Sequence, residues 1–382
     1  MRAVDLAVVG AGPAGLTTAI EGAKRGCVTV VVDRNPKPGG QLIKQIHKFF
    51  GSREHQAGTR GVNIAQRLFR EAQALGVTLM LGWDAYDIKP GRLEVVRTSF
   101  VELTSDRPAV PFRGATKTES INAEKIVLAT GAEENAIHFD GWTLPGVMGA
   151  GAAQTMINVW RVLPGNRVLM VGSGNVGLIV TYQLLQAGAG VAAIVEAANK
   201  IGGYGVHAAK VRRARVPILT AHTVVEARGD SRVTGAVIAQ LDTSWNPVPG
   251  SEKTFDVDTI CVATGLRPNT RLASLAGCQL SSSPVLGGWV PIHNNRLETT
   301  VSGIYVAGDV SGIEEASTAL EEGRLAGISA ASSLGKKGAC DEEEIRTIDE
   351  RLCNLRGGPF CQPIQDAKQE LVKIGESACP KE

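Results

Sequence analysis

The chain has 382 residues, 43% of them apolar and 4% aromatic, and it contains 45 glycines. This length gives room for two domains, and the composition is typical of an α/β protein with many tight turns. Forty basic against 38 acidic residues give a formal net charge of +2, which argues against a nucleic-acid partner. Apolar runs of strand length and the lack of a leader pattern predict a cytoplasmic protein without a transmembrane segment.

The first predicted unit is a strand, a glycine-rich turn, a helix and a second strand. Residues 6–9 enter the turn Gly10-x-Gly12-x-x-Gly15, and the second strand ends at Asp33, 23 residues after Gly10. Such a turn lets the backbone approach a pyrophosphate at the helix N-terminus, and the acid accepts hydrogen bonds from a ribose. The residues expected to bind this dinucleotide are Gly10, Gly12, Pro13, Ala14, Gly15, Asp33, Arg34, Gly39, Gly40 and Gln41.

The segment after this unit is basic and aromatic and carries no cysteine. It contains Lys44, His47, Lys48, Phe49, Phe50, Arg53 and His55. Two interpretations remain open: a surface that meets an anionic ligand or a partner beside the cofactor, or a solvated helix with two buried phenylalanines. On a helix Lys44 and His47 share a face, being three residues apart, and they are the candidates for catalytic groups.

The second predicted unit repeats the first. It has the turn Gly172-x-Gly174-x-x-Gly177 and ends in Glu196, 24 residues after Gly172. Six and seven residues after each acid comes a glycine pair, Gly39 with Gly40 and Gly202 with Gly203. Each unit is later followed by a strand that ends in Ala-Thr-Gly, with Thr130 and Gly131 in the first case and Thr264 and Gly265 in the second. A repeat of this length predicts two similar dinucleotide-binding domains.

The acid of the second unit indicates which nucleotide it takes. Glu196 repels a 2′-phosphate and favours a free ribose diol, so the expected ligand is NAD(H), with another adenine nucleotide as the alternative. Asn175 is either a ligand contact or a helix cap. The residues expected to bind this second nucleotide are Gly172, Gly174, Asn175, Gly177, Glu196 and Gly265.

A last motif, TTVSGIYVAGDVSG, places Gly308 and Asp309 at the end of a strand, and a helical pattern follows it. With two glycine units and two Ala-Thr-Gly strands, residues 1–335 resemble the two-dinucleotide-binding-domain flavoproteins of the pyridine nucleotide–disulfide reductase superfamily. The resemblance implies that the first unit, with Thr130 and Gly131, binds FAD and that Asp309 holds the ribityl chain. It also implies that the helix beginning near Ala316 and Ser317 points its positive end at the flavin.

The same resemblance implies an α/β fold in which the second of two Rossmann-like domains is inserted into the first. The FAD-binding domain is then split into residues 1–142 and 286–335, the NAD(H)-type domain spans 143–285, and 336–382 form a helical tail. This tail is expected to dock against a partner or against the FAD domain.

Three stretches narrow the resemblance: PGGQ, GWTLPGVMGAGAAQTMINVW and GGYGVHAAKVRRARVPI. They are similar to the FAD-containing α-type chains of heteromeric amine dehydrogenases and oxidases, among them opine oxidase, hydroxyproline dehydrogenase, hydrogen cyanide synthase and sarcosine oxidase. This implies an electron-transferring FAD oxidoreductase whose partner, a second flavoprotein subunit, carries the substrate site. A self-contained NADH-dependent flavoprotein reductase, with a small-molecule electron donor or acceptor, is the alternative, and a nucleotide-binding scaffold ranks last.

The seven cysteines form no CxxC or CxxxxC pair. A dithiol mechanism needs two thiols within bonding reach, so we expect no redox disulfide. Several proteins of the resembled group carry a C-terminal motif for a [2Fe–2S] cluster. The separations of 13, 8 and 18 residues between Cys340, Cys353, Cys361 and Cys379 do not match it, so no metal is expected.

Overall fold

The structure, a computed structural model, describes residues 2–49, 52–98, 117–357 and 361–380 and divides the chain into two units. Unit 1 consists of Met1–Glu133 and Arg267–Glu382, and unit 2 is the intervening Glu134–Leu266. The predicted insertion of one Rossmann-like unit into another is confirmed. The chain passes from unit 1 to unit 2 after Glu133 and back after Leu266, whereas the sequence analysis expected these boundaries after residues 142 and 285.

Nineteen strands form within the described residues. They are β1 Arg2–Val9, β2 Thr29–Asp33, β3 Thr78–Leu81, β4 Trp83–Lys89, β5 Arg92–Arg97, β6 Thr118–Leu128, β7 Ala132–Glu134, β8 Val147–Gly149, β9 Arg167–Val171, β10 Gly190–Glu196, β11 Ile218–Thr220, β12 His222–Arg228, β13 Gly235–Gln240, β14 Lys253–Phe255, β15 Thr259–Val262, β16 Leu266–Pro268, β17 Leu280–Ser283, β18 Gly288–Pro291 and β19 Ile304–Val306.

The helices are of α, 3₁₀ and π type. The α-helices are α1 Pro13–Lys24, α2 Gly61–Ala74, α3 Ala150–Thr155, α4 Asn175–Ala187, α5 Gly205–Arg213, α6 Arg271–Leu275, α7 Ala316–Ser333, α8 Asp341–Arg356 and α9 Gln362–Ala378. Short 3₁₀ helices cover Gly40–Lys44, Pro284–Leu286 and Asp309–Ser311, and a π-helical turn covers Met156–Trp160.

The main sheet of unit 1 has a parallel part in the order β3-β2-β1-β6-β19, and the hairpin β4–β5 joins β6 antiparallel. The ends of its strands are in register: Val9 of β1 lies opposite Val32 of β2 and Leu128 of β6, and Leu128 lies opposite Val306 of β19. Parallel strands bring their carboxyl ends to one edge. The residues that follow these strands therefore meet at that edge.

Unit 2 repeats this order in its own parallel sheet, β11-β10-β9-β15-β8. Val171 of β9 lies opposite Val195 of β10 and Val262 of β15, as Val9 does in unit 1. The remaining strands β12, β13 and β14 form an antiparallel sheet. The duplication seen in the sequence is thus a duplication of sheet topology, in which β8 corresponds to β19.

Two helices of unit 1, α1 and α7, pack with almost no side chain between them. A Cβ atom added to Gly323 would lie 2.2 Å from the Ala14 carbonyl oxygen, and one on Gly327 would lie 2.5 Å from the Thr18 carbonyl oxygen. Thr18 donates its hydroxyl to the Gly323 carbonyl at 2.9 Å. This close contact fixes the helix of the glycine-rich turn against the helix that follows the Gly308 motif.

The tail is helical, as predicted, and its apolar side chains are packed inside unit 1. Ile345, Ile348 and Leu352 of α8 join the core under α1 and α7. Leu371 of α9 packs with Leu286 and with the residues around β18. None of the described helices is long and apolar enough to cross a membrane.

Candidate functional site

The first glycine-rich turn has the geometry that the sequence predicts. Gly10 has φ +107°, and a Cβ atom there would lie 2.2 Å from the Ala129 carbonyl oxygen. A Cβ atom on Gly15 would lie 1.8 Å from the Gly10 carbonyl oxygen, so this crossing of helix and strand admits only glycine. Asp33 Oδ2 accepts the Ala11 N–H at 2.6 Å and so ties the turn to the end of β2.

The N-terminus of α1 is open to an anion. Its N-cap is Gly12, no side chain caps it, and its first turn, which begins Pro13-Ala14, holds no acidic residue. The dipole and the unpaired N–H groups of such an end attract phosphate. Gly40 closes over this end, because a Cβ atom on it would lie 2.8 Å from Gly12 Cα.

Other expected ligands lie around the same edge. Gly39 donates its N–H to the Ala11 carbonyl at 2.7 Å, while Arg34 and Gln41 are exposed. The Thr130 hydroxyl, before Gly131, donates to the Asn269 carbonyl at 2.7 Å. This hydroxyl therefore braces the turn after β6.

The Gly308 motif comes to the same place. Gly308 has φ +77°, and a Cβ atom there would lie 2.9 Å from the Ala14 Cβ in the first turn of α1. Burial, together with the nearby carboxylates of Glu322 and Glu314, raises the pKa of Asp309 to about 7. Helix α7 starts at Ala316 and Ser317.

A buried ion cluster that the sequence analysis missed lies behind this turn. Lys368 Nζ of α9 is 2.8 Å from Glu322 Oε1 and 3.3 Å from Glu314 Oε1, and Arg356 Nη2 of α8 is 2.6 Å from Glu322 and 2.7 Å from Glu314. Lys368 and Glu322 are 4% and 2% exposed. Burial alone would raise the pKa of Glu322, but the two cations hold it well below its usual range.

The catalytic candidates Lys44 and His47 do not share a helical face. The 3₁₀ helix that begins at Gly40 ends at Lys44, and His47 lies beyond it with its ring 6.4 Å from the ring of Phe49. The expectation of a helix through this segment is wrong. Phe50 lies outside the described residues.

His55, at the end of that segment, is buried against another acid. Its Nε2 lies 3.5 Å from Glu321 Oε1 of α7, whose side chain is fully buried. Arg324 pairs with the same carboxylate, and Arg351 Nη1 of the tail lies 3.8 Å from its other oxygen. His55 is therefore buried and paired within unit 1, whichever of the two interpretations holds for the rest of this segment.

Unit 2 holds its turn in the same way. A Cβ atom on Gly172 would lie 2.2 Å from the Ala263 carbonyl oxygen, and one on Gly177 would lie 2.1 Å from the Gly172 carbonyl oxygen. Glu196 Oε2 accepts the Ser173 N–H at 2.8 Å and the Ser173 hydroxyl at 2.6 Å. The acid thus takes the place that Asp33 has in unit 1.

Three further residues of this second turn can be located. The N-cap of α4 is Gly174, so Asn175 is not the cap of that helix. The Asn175 side-chain oxygen Oδ1 instead accepts the Tyr204 N–H at 2.9 Å. Gly265, with φ +103°, follows β15 and accepts the Asn135 N–H at 3.0 Å on its carbonyl oxygen.

All seven cysteines are free thiols. Four of them are buried, and burial raises the pKa of each; they are Cys27, Cys261, Cys278 and Cys379. Cys340 and Cys353 are exposed and Cys361 is half-exposed. Within the described residues, no three His, Cys, Asp or Glu side chains form a group that could hold a metal ion.

Two nested Rossmann-like units, each with a glycine turn tied to an acid, define an oxidoreductase of the two-dinucleotide-domain class. Residues 4–323 match the family described as pyridine nucleotide-disulphide oxidoreductase, and the chain belongs to that family.

The curated relatives are components of oxidases and of a synthase. The A chain of opine oxidase from Agrobacterium tumefaciens is 28% identical over 96% of this chain and 74% of that protein. The HcnB component of hydrogen cyanide synthase from Pseudomonas aeruginosa is 27% identical over 91% of this chain and 75% of that protein. The alpha chain of sarcosine oxidase from Rhizobium meliloti is 29% identical, and this chain covers 33% of its length.

Solved structures share the fold. Thioredoxin reductase of T. acidophilum superposes with a TM-score of 0.68 at 20% identity, over 87% of this chain and 99% of that one. L-proline dehydrogenase of P. horikoshii has a TM-score of 0.65 at 21% identity, over 91% of this chain and 59% of that one.

Proposed function

We propose that this oxidoreductase binds FAD in unit 1 and transfers electrons as the α-type subunit of a heteromeric amine or amino-acid dehydrogenase. The substrate class comprises opine-like, sarcosine-like and hydroxyproline-like secondary amines. A second flavoprotein subunit would carry the substrate site, and the chain works without a redox disulfide.

One observation carries the FAD assignment: the glycine turn of α1 and the Gly308 motif meet at one sheet edge. The open N-terminus of α1 suits a pyrophosphate, and Asp33 suits the adenosine ribose. Asp309 lies in the turn that contacts the first turn of α1, where it suits a ribityl hydroxyl. Bound FAD supplies two-electron redox chemistry, and the protein supplies position and electrostatics.

The thiols and the relatives support the relay role. The four buried cysteines have raised pKa values and make poor thiolates, and the three accessible ones all belong to the tail region. The relatives are named as subunits of opine oxidase, hydrogen cyanide synthase and sarcosine oxidase. A partner that oxidises the amine and passes electrons to this chain fits both observations.

The intact second turn favours one alternative, a self-contained NADH-dependent reductase. Glu196 is held at the ribose end of the turn, which suits NADH better than NADPH. In that case the second unit would deliver hydride to the flavin without a partner.

The test is to purify the chain, record its visible absorbance and titrate it anaerobically with NADH and then NADPH. We expect a bound flavin that dithionite bleaches but both nucleotides leave oxidised. Rapid bleaching by NADH, lost in the Gly177→Ala variant, would favour the self-contained reductase. A chain that neither carries nor takes up FAD would contradict the assignment of unit 1.

A further inference from the structure

The turn at residues 308–311 is held by one carboxylate. Glu322 Oε2 accepts the Gly308 N–H at 2.8 Å and lies 2.8 Å from the Ser311 hydroxyl, which is also 2.9 Å from the Gly308 carbonyl oxygen. Gly308 and Ser311 are the residues on either side of Asp309 and Val310. The position of the Asp309 backbone therefore depends on where the Glu322 carboxylate sits.

That carboxylate is kept charged and in place by the tail. Glu322 lies inside α7 with almost no exposure, and an isolated ion there would be strongly disfavoured. The cations that neutralise it are Lys368 of α9 and Arg356 of α8. Lys368 also donates to the Ser311 hydroxyl at 2.9 Å, so it contacts the turn directly.

We propose that Lys368 and Arg356 are positioning residues for the flavin, and that the tail completes the FAD site by fixing the 308–311 turn through Glu322 and Ser311. The inference rests on the proposed function, because it assigns Asp309 to the ribityl chain. It gives the tail a role inside its own chain in addition to any partner contact.

The tail has a second buried anchor that serves as a matched control. Arg25, at the C-terminal end of α1, lies 2.7 Å from Asp341 of α8 and 2.7 Å from Glu21, and its side chain is 5% exposed. Helix α1 has 12 residues, so this anchor is about 18 Å along the helix from the glycine turn. Loss of Lys368 or of Arg25 breaks a buried link between the tail and the rest of unit 1, but of these two only Lys368 contacts the 308–311 turn.

The experiment compares wild type, Lys368→Met, Ser311→Ala and Arg25→Met. Apoprotein is titrated with FAD, its urea unfolding midpoint is measured, and amide hydrogen exchange is followed in peptides that cover residues 304–312. We expect Lys368→Met to raise the FAD dissociation constant about tenfold or more and to speed exchange in those peptides. Arg25→Met is expected to lower the unfolding midpoint while changing FAD affinity by less than about twofold.

Equal losses of FAD affinity in Lys368→Met and Arg25→Met would overturn the inference, because general loosening of the tail would then explain both. If Lys368→Met does not fold, Ser311→Ala decides, since it keeps every charge and removes the hydroxyl that bonds to Glu322 and Lys368, while the Gly308–Glu322 bond remains. Unchanged affinity and exchange in Ser311→Ala would overturn the inference. If the wild-type chain binds no FAD, both the proposed function and this inference are overturned. If it binds FAD but the variants bind it equally well, only the inference is overturned.

Discussion

We expect His293 to make an acid-sensitive contribution to the stability of the protein. It is 2% exposed, its Nδ1 lies 2.9 Å from the Asn294 carbonyl oxygen, and its Nε2 has no hydrogen-bond partner among the described residues. Helix α9 lies on its backbone, because a Cβ atom on Gly375 would lie 1.9 Å from the His293 carbonyl oxygen. Burial and the neighbouring Lys368 lower the pKa of His293 to about 4.

The sign follows from which state binds the proton. Between pH 6.5 and about 4 the unfolded chain protonates this imidazole and the native protein does not, so the free energy of unfolding falls as the pH falls. At 1.36 kcal/mol per pH unit this amounts to about 3 kcal/mol. Asp309 acts in the opposite direction between pH 3.8 and about 7, because its raised pKa makes the native state bind the extra proton.

The difference between wild type and His293→Asn isolates the histidine, since Asp309 is present in both. Urea unfolding of the two apoproteins is followed by circular dichroism from pH 8 to pH 4.5. We expect the stability difference to stay constant between pH 8 and 7, and wild type to lose about 2–3 kcal/mol relative to the variant by pH 4.5. Parallel curves across the whole range would refute the buried neutral histidine.

The remaining predictions use matched pairs. Gly375→Ala should lower the free energy of unfolding by about 2 kcal/mol, because its Cβ atom would meet backbone. Gly205→Ala has open space around it and should leave this free energy unchanged or raise it by up to about 1 kcal/mol. Thermal unfolding of the two variants tests the difference. Gly15→Ala should abolish FAD absorbance, and Gly177→Ala should keep it. A chromogenic disulfide reagent should titrate three thiols in the native protein and seven in urea, and blocking those three should leave the bound flavin spectrum unchanged.

The sequence was sufficient where the physical requirement is local. Gly15 and Gly177 are required by a backbone crossing within one strand–turn–helix unit, and the glycine spacing of that unit predicts the turns, whereas Gly10 and Gly172 face the carbonyls of the distant Ala129 and Ala263. The same spacing, repeated with an acid and a later glycine pair, predicted the duplicated topology.

The segment after Gly40 shows where local reasoning fails. Lys44 and His47 have helical spacing, but the backbone beyond Lys44 forms hydrogen bonds outside a helix. Phe49 donates its N–H to the Thr59 carbonyl at 2.9 Å, and the Gly58 N–H returns to the Phe49 carbonyl at 2.9 Å. These bonds to a turn nine and ten residues further along the chain replace the helical ones, and no pattern within residues 41–49 predicts them.

Lys368 was missed although a signal existed. In α9 it lies on the buried stripe with Leu371 and Gly375, at the i, i+3, i+7 spacing of an inward face. A lysine at such a position needs a buried acid, and α7 offers Glu321 and Glu322 among small residues. Which acid it meets depends on packing between elements 46 residues apart, so the sequence alone does not assign the pair.

The two units differ at the start of the helix that, in unit 1, would face the proposed flavin. Strand β8 takes the sheet position that β19 has in unit 1, and the α-helix that follows each of them is α3 and α7, respectively. At the start of α3 the Gly151 N–H donates to Glu134 Oε1 at 2.6 Å, so a carboxylate of the chain itself meets that helix end. In unit 1 the first turn of α7 holds no acidic residue, and Glu322, farther along that helix, is neutralised by Arg356 and Lys368 of the tail. The start of α3 thus meets a carboxylate of the chain itself, whereas the first turn of α7 holds none, and this difference favours unit 1 for the proposed FAD.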